Sequence, residues 1–182
     1  MKDTCADILN FWFVDTAPAQ WFQTSPDFDS LVRTNFLVNY HQGVQSTFDA
    51  WQASADGALA LIILFDQFPR NMFRGLPQAY ETDAKALSIA RLAIERGFDQ
   101  IFIPMKRRFF YLPFEHSENL DHQKRSVELF ESMKGDDPLG YDYALRHMRV
   151  IEQFGRFPHR NKILGRVSTA EEIKYLEEYG GF

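Results

Sequence analysis

Ala58-Leu59-Ala60-Leu61-Ile62-Ile63-Leu64-Phe65 is the longest apolar run in the chain, and its reading as helix or strand decides the fold. A run that is apolar on every side fits a buried strand as well as a buried helix, because periodicity alone does not separate the two. Its alanine and leucine content and the helical spacing on either side of it favour a central helix. Pro69 is expected to stop that helix, since the residue before a proline resists helical geometry. The run is far shorter than the roughly 20 residues of a membrane-crossing helix.

Helical spacing continues outward in both directions. Downstream, residues 78–96 repeat Tyr80, Ala84, Leu87 and Ile94, and Gly97 supplies a stop. Pro104 suits the first turn of a helix through Lys106, Arg107 and Arg108, which Leu112-Pro113 is expected to break. Spacing through Val127 and Phe130 predicts a helix over 121–134, with Ser117 and Glu118 as candidate caps. Asp137-Pro138 then opens a helix striped by Tyr141, Leu145, Met148 and Ile151. Ser168-Thr169-Ala170-Glu171 has capping-box spacing and introduces a last helix over 172–179.

Upstream, Ile8, Leu9, Trp12 and Phe13 share a helical face. Ser25 caps and Pro26 opens a helix carrying Phe28, Leu31, Val32, Phe36 and Tyr40 as far as Gly43, and 47–53 reads as a short helix. There is no hairpin signal, linker or low-complexity tract. The fold expected is all-α, a single domain over 1–182 built from antiparallel helical pairs.

Composition narrows the function. Charged residues at 25% and apolar residues at 45% are those of a globular chain, not a disordered one. A net charge of -5 argues against nonspecific attraction to nucleic acid or an anionic membrane. Lys106-Arg107-Arg108 resembles a nucleic-acid patch, but the adjoining Phe109-Phe110-Tyr111 reads as the core face of a helix. Eighteen phenylalanines and three tryptophans predict an interior packed with rings. Cys5 is the single cysteine, which excludes an intrachain disulfide and a cysteine zinc site. Residues 1–12 lack the charged start, apolar core and small-residue cleavage site of a signal peptide, so a cytoplasmic protein is expected.

Two polar turns carry the chemistry. Gln153-Phe154-Gly155-Arg156-Phe157-Pro158-His159-Arg160-Asn161 runs on to Gly165-Arg166, and Asp66-Gln67-Phe68-Pro69-Arg70-Asn71 runs on to Arg74-Gly75. Both contain Gln-Phe, Phe-Pro and Arg-Asn in that order. Forked guanidinium donors beside an amide suit a carboxylate or phosphate. Asp66, Arg70, Asn71 and Arg74, with His147, Arg156, Arg160 and Asn161, are the candidate ligand-binding residues, and Asp66 and Glu152 the carboxylates that would orient the arginines. Glu115-His116-Ser117-Glu118 adds an imidazole able to exchange protons near neutral pH. His116, Glu118 and His159 are therefore the candidate catalytic residues. Glu118 and His122 lie four apart on a helix, yet no His-Glu-x-x-His motif or doubled Glu-x-x-His pair completes a metal site. No Walker loop, Gly-x-Gly-x-x-Gly or Gly-x-Ser-x-Gly is present, and no cofactor is implied.

These motifs, followed in order by Leu112-Pro113 with His116-Ser117-Glu118 and then the second turn, resemble the signature of an uncharacterised bacterial family, domain of unknown function 924. The likeness runs from Phe11-Trp12-Phe13 to the 168–176 helix, and His147 also fits; Phe65 departs where a smaller aliphatic is expected. The resemblance implies an α-α superhelix similar to tetratricopeptide repeats and brings no established activity. No clean repeat of about 34 residues is legible in the chain itself.

Two functions fit these residues. In one, the arginines converge on a small anionic ligand, with His116 or His159 as acid or base and Glu118 and Asp66 as orienting carboxylates. In the other, a noncatalytic helical scaffold binds a peptide or protein partner and the arginine motifs are internal staples. The sequence leaves substrate, reaction and oligomeric state open.

Overall fold

In a computed structural model of the protein, which describes residues 4–181, every regular element among the described residues is helical. The chain divides into two compact units. One comprises the residues up to Arg74 together with Gln78–Pro113, the other Gly75–Pro77 with the residues from Phe114 onward.

The first unit begins with α1 (Cys5–Asn10), closed by a capping box between Thr4 and Asp7, and widens into a π turn over Phe11–Asp15. Helix α2 (Pro26–Val44) starts as the sequence predicts, with Ser25 accepting from the Phe28 N–H and Pro26 in the first turn, and passes Gly43 by one residue. A 3-10 turn over Asp49–Ala53 replaces the short helix expected there. The run at 58–65 is a helix. Residues Ala55–Ile62 form α3, and positions 58–65 are all at most 1% exposed. It packs against α1, α5 (Asp83–Glu95) and the 3-10 turn, so no face is left for polar residues.

Pro69 does not stop this helix. After α3 the backbone widens into a π turn over Ile63–Gln67, in which the Phe68 N–H reaches back to the Ile63 carbonyl. It then continues through Pro69 as α4 (Phe68–Met72). A proline inside a helix lacks the N–H that would serve the carbonyl four residues earlier, and its ring crowds that carbonyl. The wider turn gives the ring room, and the orphaned Phe65 carbonyl accepts instead from the Thr82 hydroxyl at 2.7 Å. Thr82 lies immediately before α5, which starts five residues later than its spacing suggests, after a separate 3-10 turn at Pro77–Ala79. Pro113 behaves alike: it lies within α6 (Pro104–Glu115) rather than ending it.

Rings fill the core of this unit. Phe36 lies 4.6 Å from Phe68 and 4.9 Å from Phe11, and Trp21 sits edge-on to Phe109 at 5.1 Å. Trp21 also donates its indole N–H to the Trp12 carbonyl at 2.8 Å, the partner a buried tryptophan needs. Phe109, Phe110 and Tyr111 are fully buried, so the aromatic half of the basic-aromatic stretch is core, as its spacing predicts.

In the second unit α7 (Leu120–Glu131) packs along α8 (Pro138–Phe154). Gly140 lets them close, because a Cβ there would lie 2.8 Å from the Phe130 ring. The cap of α7 is Asn119, which accepts from the Asp121 and His122 N–H groups, and not Ser117 or Glu118. Ser117 instead meets the His122 ring at 2.8 Å. Gln123, fully buried, closes the end of α6 by donating to the carbonyls of Glu115 and Ser117 at 2.6 and 2.7 Å. Gly155 ends α8 in the left-handed region at φ 68°. Helix α9 (Ala170–Tyr179) is opened by a capping box between Thr169 and Glu172, one residue beyond the Ser168–Glu171 pair that the spacing suggests. No helix among the described residues is long and apolar enough to cross a membrane.

Replacing Thr82 by valine keeps the side-chain volume but leaves the Phe65 carbonyl buried without its donor. The expected cost is about 1–3 kcal/mol, read as a lower urea midpoint at unchanged slope; an unchanged midpoint would show that another donor serves that carbonyl.

Candidate functional site

The second polar turn forms around a buried carboxylate. Gly155 lets the chain reverse off α8, Phe157 plugs inward at 0% exposure, and Pro158–Arg160 forms a 3-10 turn. The third residue of α9, Glu172, is 2% exposed and accepts four hydrogen bonds. Arg156 gives two, from Nε at 2.7 Å and Nη2 at 2.9 Å. The Thr169 N–H adds one at 2.8 Å and Asn161 Nδ2 one at 3.1 Å. Arg156 contributes most to holding the Glu172 pKa down to about 2, against the opposing effect of burial.

Asn161 links this cluster to a second one. Its Oδ1 accepts from Arg166 Nε at 2.9 Å, and Arg166 closes its fork on Glu118 at 2.6 and 2.9 Å. Glu118 also accepts from the Phe157 N–H at 2.8 Å. Burial pushes the Glu118 pKa up, but the Arg166 and Phe157 donors outweigh it and hold the carboxyl below its ordinary value. Arg156, Glu172, Asn161, Arg166 and Glu118 are thus one continuous network. Glu152, expected from its position to orient Arg156, is exposed; the carboxylate comes instead from 16 residues downstream.

The first turn repeats the arrangement within its own unit. Arg70 closes on Asp83 at 2.8 and 3.0 Å and lies 3.4 Å from the fully buried Asp66. Arg74 closes on Asp29 at 2.6 and 2.8 Å, and Asn71 donates to the same carboxylate at 2.8 Å. The Arg74 and Asn71 donors overcome the effect of burial and lower the Asp29 pKa. Asp29, Asp83 and Glu172 all lie in the first turn of a helix, where the helix dipole also favours negative charge.

An open hollow of about 500 Å³ lies beside the second network, lined by Gln153, Phe154, Arg156, Thr169, Glu171 and Glu172. A small anion entering it meets one guanidinium, already engaged by Glu172, and two carboxylates. Its chemistry does not suit an anion.

The histidines gather elsewhere in this unit. His147 is 6% exposed and donates from Nδ1 to the Tyr143 carbonyl at 2.9 Å. Burial, with added repulsion from His116, Arg160 and His159, pushes its pKa down to about 3. The imidazole is therefore neutral at pH 7, and its 3.4 Å approach to Glu115 is a polar contact and not an ion pair. Phe157 is the hub of the group. Its ring centre lies 5.5 Å from His147, 5.7 Å from His159 and 4.5 Å from the Arg160 guanidinium. No three His, Cys, Asp or Glu side chains among the described residues are placed to hold a metal ion.

Of the residues singled out from sequence, Asp66, Arg70, Asn71 and Arg74 come together in the first unit. Glu118, Arg156 and Asn161 share the network of the second, and His116, His147, His159 and Arg160 form its histidine group. The carboxylates that grip the arginines, Asp29, Asp83 and Glu172, were not among them. Their signal was positional, an acid in the first turn of each helix, which sequence alone reads as dipole compensation.

The model of a family described as bacterial protein of unknown function (DUF924) matches residues 8–180. The chain belongs to this family. It is also similar to the solved structure of a protein of unknown function from Agrobacterium tumefaciens, at 42% identity and a TM-score of 0.90 over 96% of this chain and 97% of that one. Among curated proteins none matches.

The pKa shifts set a two-stage acid response. The His147 pKa is lowered on folding from 6.5 to about 3, so the unfolded state binds the extra proton and stability falls as pH drops below 6.5. Glu172, lowered from 4.5 to about 2, contributes stability fully above pH 4.5 and loses it as pH falls towards 2. His147→Gln should flatten the pH 6.5–4.5 limb and Glu172→Gln the pH 4.5–2 limb of a stability profile measured by urea titration. Identical slopes in wild type and variant would overturn either assignment.

Proposed function

We propose that this protein is a noncatalytic helical scaffold that binds a peptide or protein partner, and that its two arginine motifs are internal staples. One observation carries the reading: Arg70, Arg74, Arg156 and Arg166 each close their fork on a carboxylate of their own unit. A guanidinium closed on two carboxylate oxygens has its fork taken and its charge compensated, so an incoming anion gains less from it than from an unpaired one. Helical faces meanwhile present apolar side chains to solvent, among them Leu31 and Val38 on α2 and Ile173 and Tyr179 on α9.

A second reading, a small anionic ligand beside His116, His159 and Arg160, is favoured by the Phe157 ring, which brings His159 at 5.7 Å and the Arg160 guanidinium at 4.5 Å together beside His147.

Thermal melting separates the two. On the staple reading, Arg156→Met and Glu172→Gln each lower Tm by about 5 °C, the double variant falls by less than the sum, and millimolar phosphate or acetate leaves the wild-type Tm unchanged. If Arg156→Met melts like wild type, the staple reading fails. If phosphate raises the wild-type Tm and His159→Ala abolishes the rise, the ligand reading replaces it.

A further inference from the structure

The open hollow beside the second network holds groups that the staples do not use. Its lining residues, Gln153, Phe154, Arg156, Thr169, Glu171 and Glu172, all belong to the second unit. Arg156 and Glu172 are closed on each other, and the Thr169 hydroxyl accepts from the Glu172 N–H at 3.2 Å. Gln153 and Glu171 differ. Both are exposed, and neither side chain has a hydrogen bond or ion pair among the described residues. Phe154, half-buried with its ring 5.3 Å from that of Tyr175, supplies the apolar wall. The lining as a whole is negative. Arg156 balances one of the two carboxylates, and the start of α9, equivalent to about half a positive charge, offsets only part of the other.

From this lining we infer that the hollow receives an arginine side chain carried by a basic segment of a partner protein. The inference rests on the scaffold reading above and names the partner's chemistry. A guanidinium holds its N–H donors in one plane, so it serves the Glu171 carboxylate and the Gln153 amide oxygen together while its face rests on the Phe154 ring. A lysine ammonium is a more strongly hydrated point charge, and a neutral side chain covers Glu171 without compensating it. The volume agrees: about 500 Å³ is ample for one side chain. Openness separates a tethered side chain from a free cation. A small-molecule site buries most of its ligand, which an open hollow does not do, whereas an arginine on a longer segment makes its remaining contacts outside.

Amide NMR of the nitrogen-labelled full chain tests the proposal. The reporters are the Gln153 side-chain amide, assigned through Gln153→Ala, and the Glu171 N–H; the buried side-chain amides of Gln67 and Gln123 are internal references. The probes, at millimolar concentration, are an end-capped glycine–serine peptide with one central arginine, the same peptide with glutamine in its place, and agmatine. Both reporters should shift saturably with the arginine peptide and stay still with the glutamine one. Glu171→Gln should weaken that binding about tenfold, or 1.4 kcal/mol, at unchanged Tm, with Gln153→Ala as the second variant should the first not fold. Equal response to the two peptides, or no effect of either substitution, overturns the proposal. So does an arginine response that moves other amides and leaves both reporters unmoved, or no response at all. Reporters that answer agmatine alone assign the hollow to a free cation instead. None of these outcomes touches the scaffold reading, whose own failure is an Arg156→Met variant that melts like wild type.

Discussion

A buried carboxylate at the start of α9 sets the terms for the second unit. Taking Glu172 out of water is unfavourable by several kcal/mol in a protein interior, and the charge is tolerated only because four donors converge on two oxygens. Those donors come from just past the end of α8, from farther along the turn and from the cap of α9. Satisfying one side chain therefore fixes where three pieces of backbone lie. The chain between α8 and α9 has little other regular structure, so it is this polar constraint, with Phe157 plugged beneath it, that gives the turn one conformation.

The first turn reaches the same end with different partners. Arg70 and Arg74 divide their forks between Asp83 and Asp29, each in the first turn of a helix. Asparagine adds a neutral donor beside the guanidinium: Asn71 shares Asp29 with Arg74, and Asn161 shares Glu172 with Arg156. Arginine suits this work better than lysine because a planar fork meets both carboxylate oxygens at once. In both stretches the Arg and the Asn thus meet on a carboxylate inside their own unit.

Prolines reveal how the helical backbone adapts. Pro69 and Pro113 both lie within helices that local rules end before them. At Pro69 the adaptation is visible atom by atom, a widened turn ahead of the ring and a threonine hydroxyl on the orphaned carbonyl. The partner is 17 residues downstream, so no local rule could have supplied it.

The sequence by itself determined that the chain is helical, where most helices lie, that the 58–65 run is buried, and which two turns are polar. Periodicity, caps and composition act over a few residues, and a few residues are enough to state them. Tertiary structure alone decided what the polar turns hold. Arg156 pairs with Glu172 and not Glu152, Arg166 with Glu118 across 48 residues, and Arg74 with Asp29 across 45. It also decided that Pro69 is threaded through a helix and that His147 stays neutral, since its neighbours come from the end of α6 and the turn after α8. Charge pairing and burial depend on distance in space, which chain spacing does not encode until the backbone has folded.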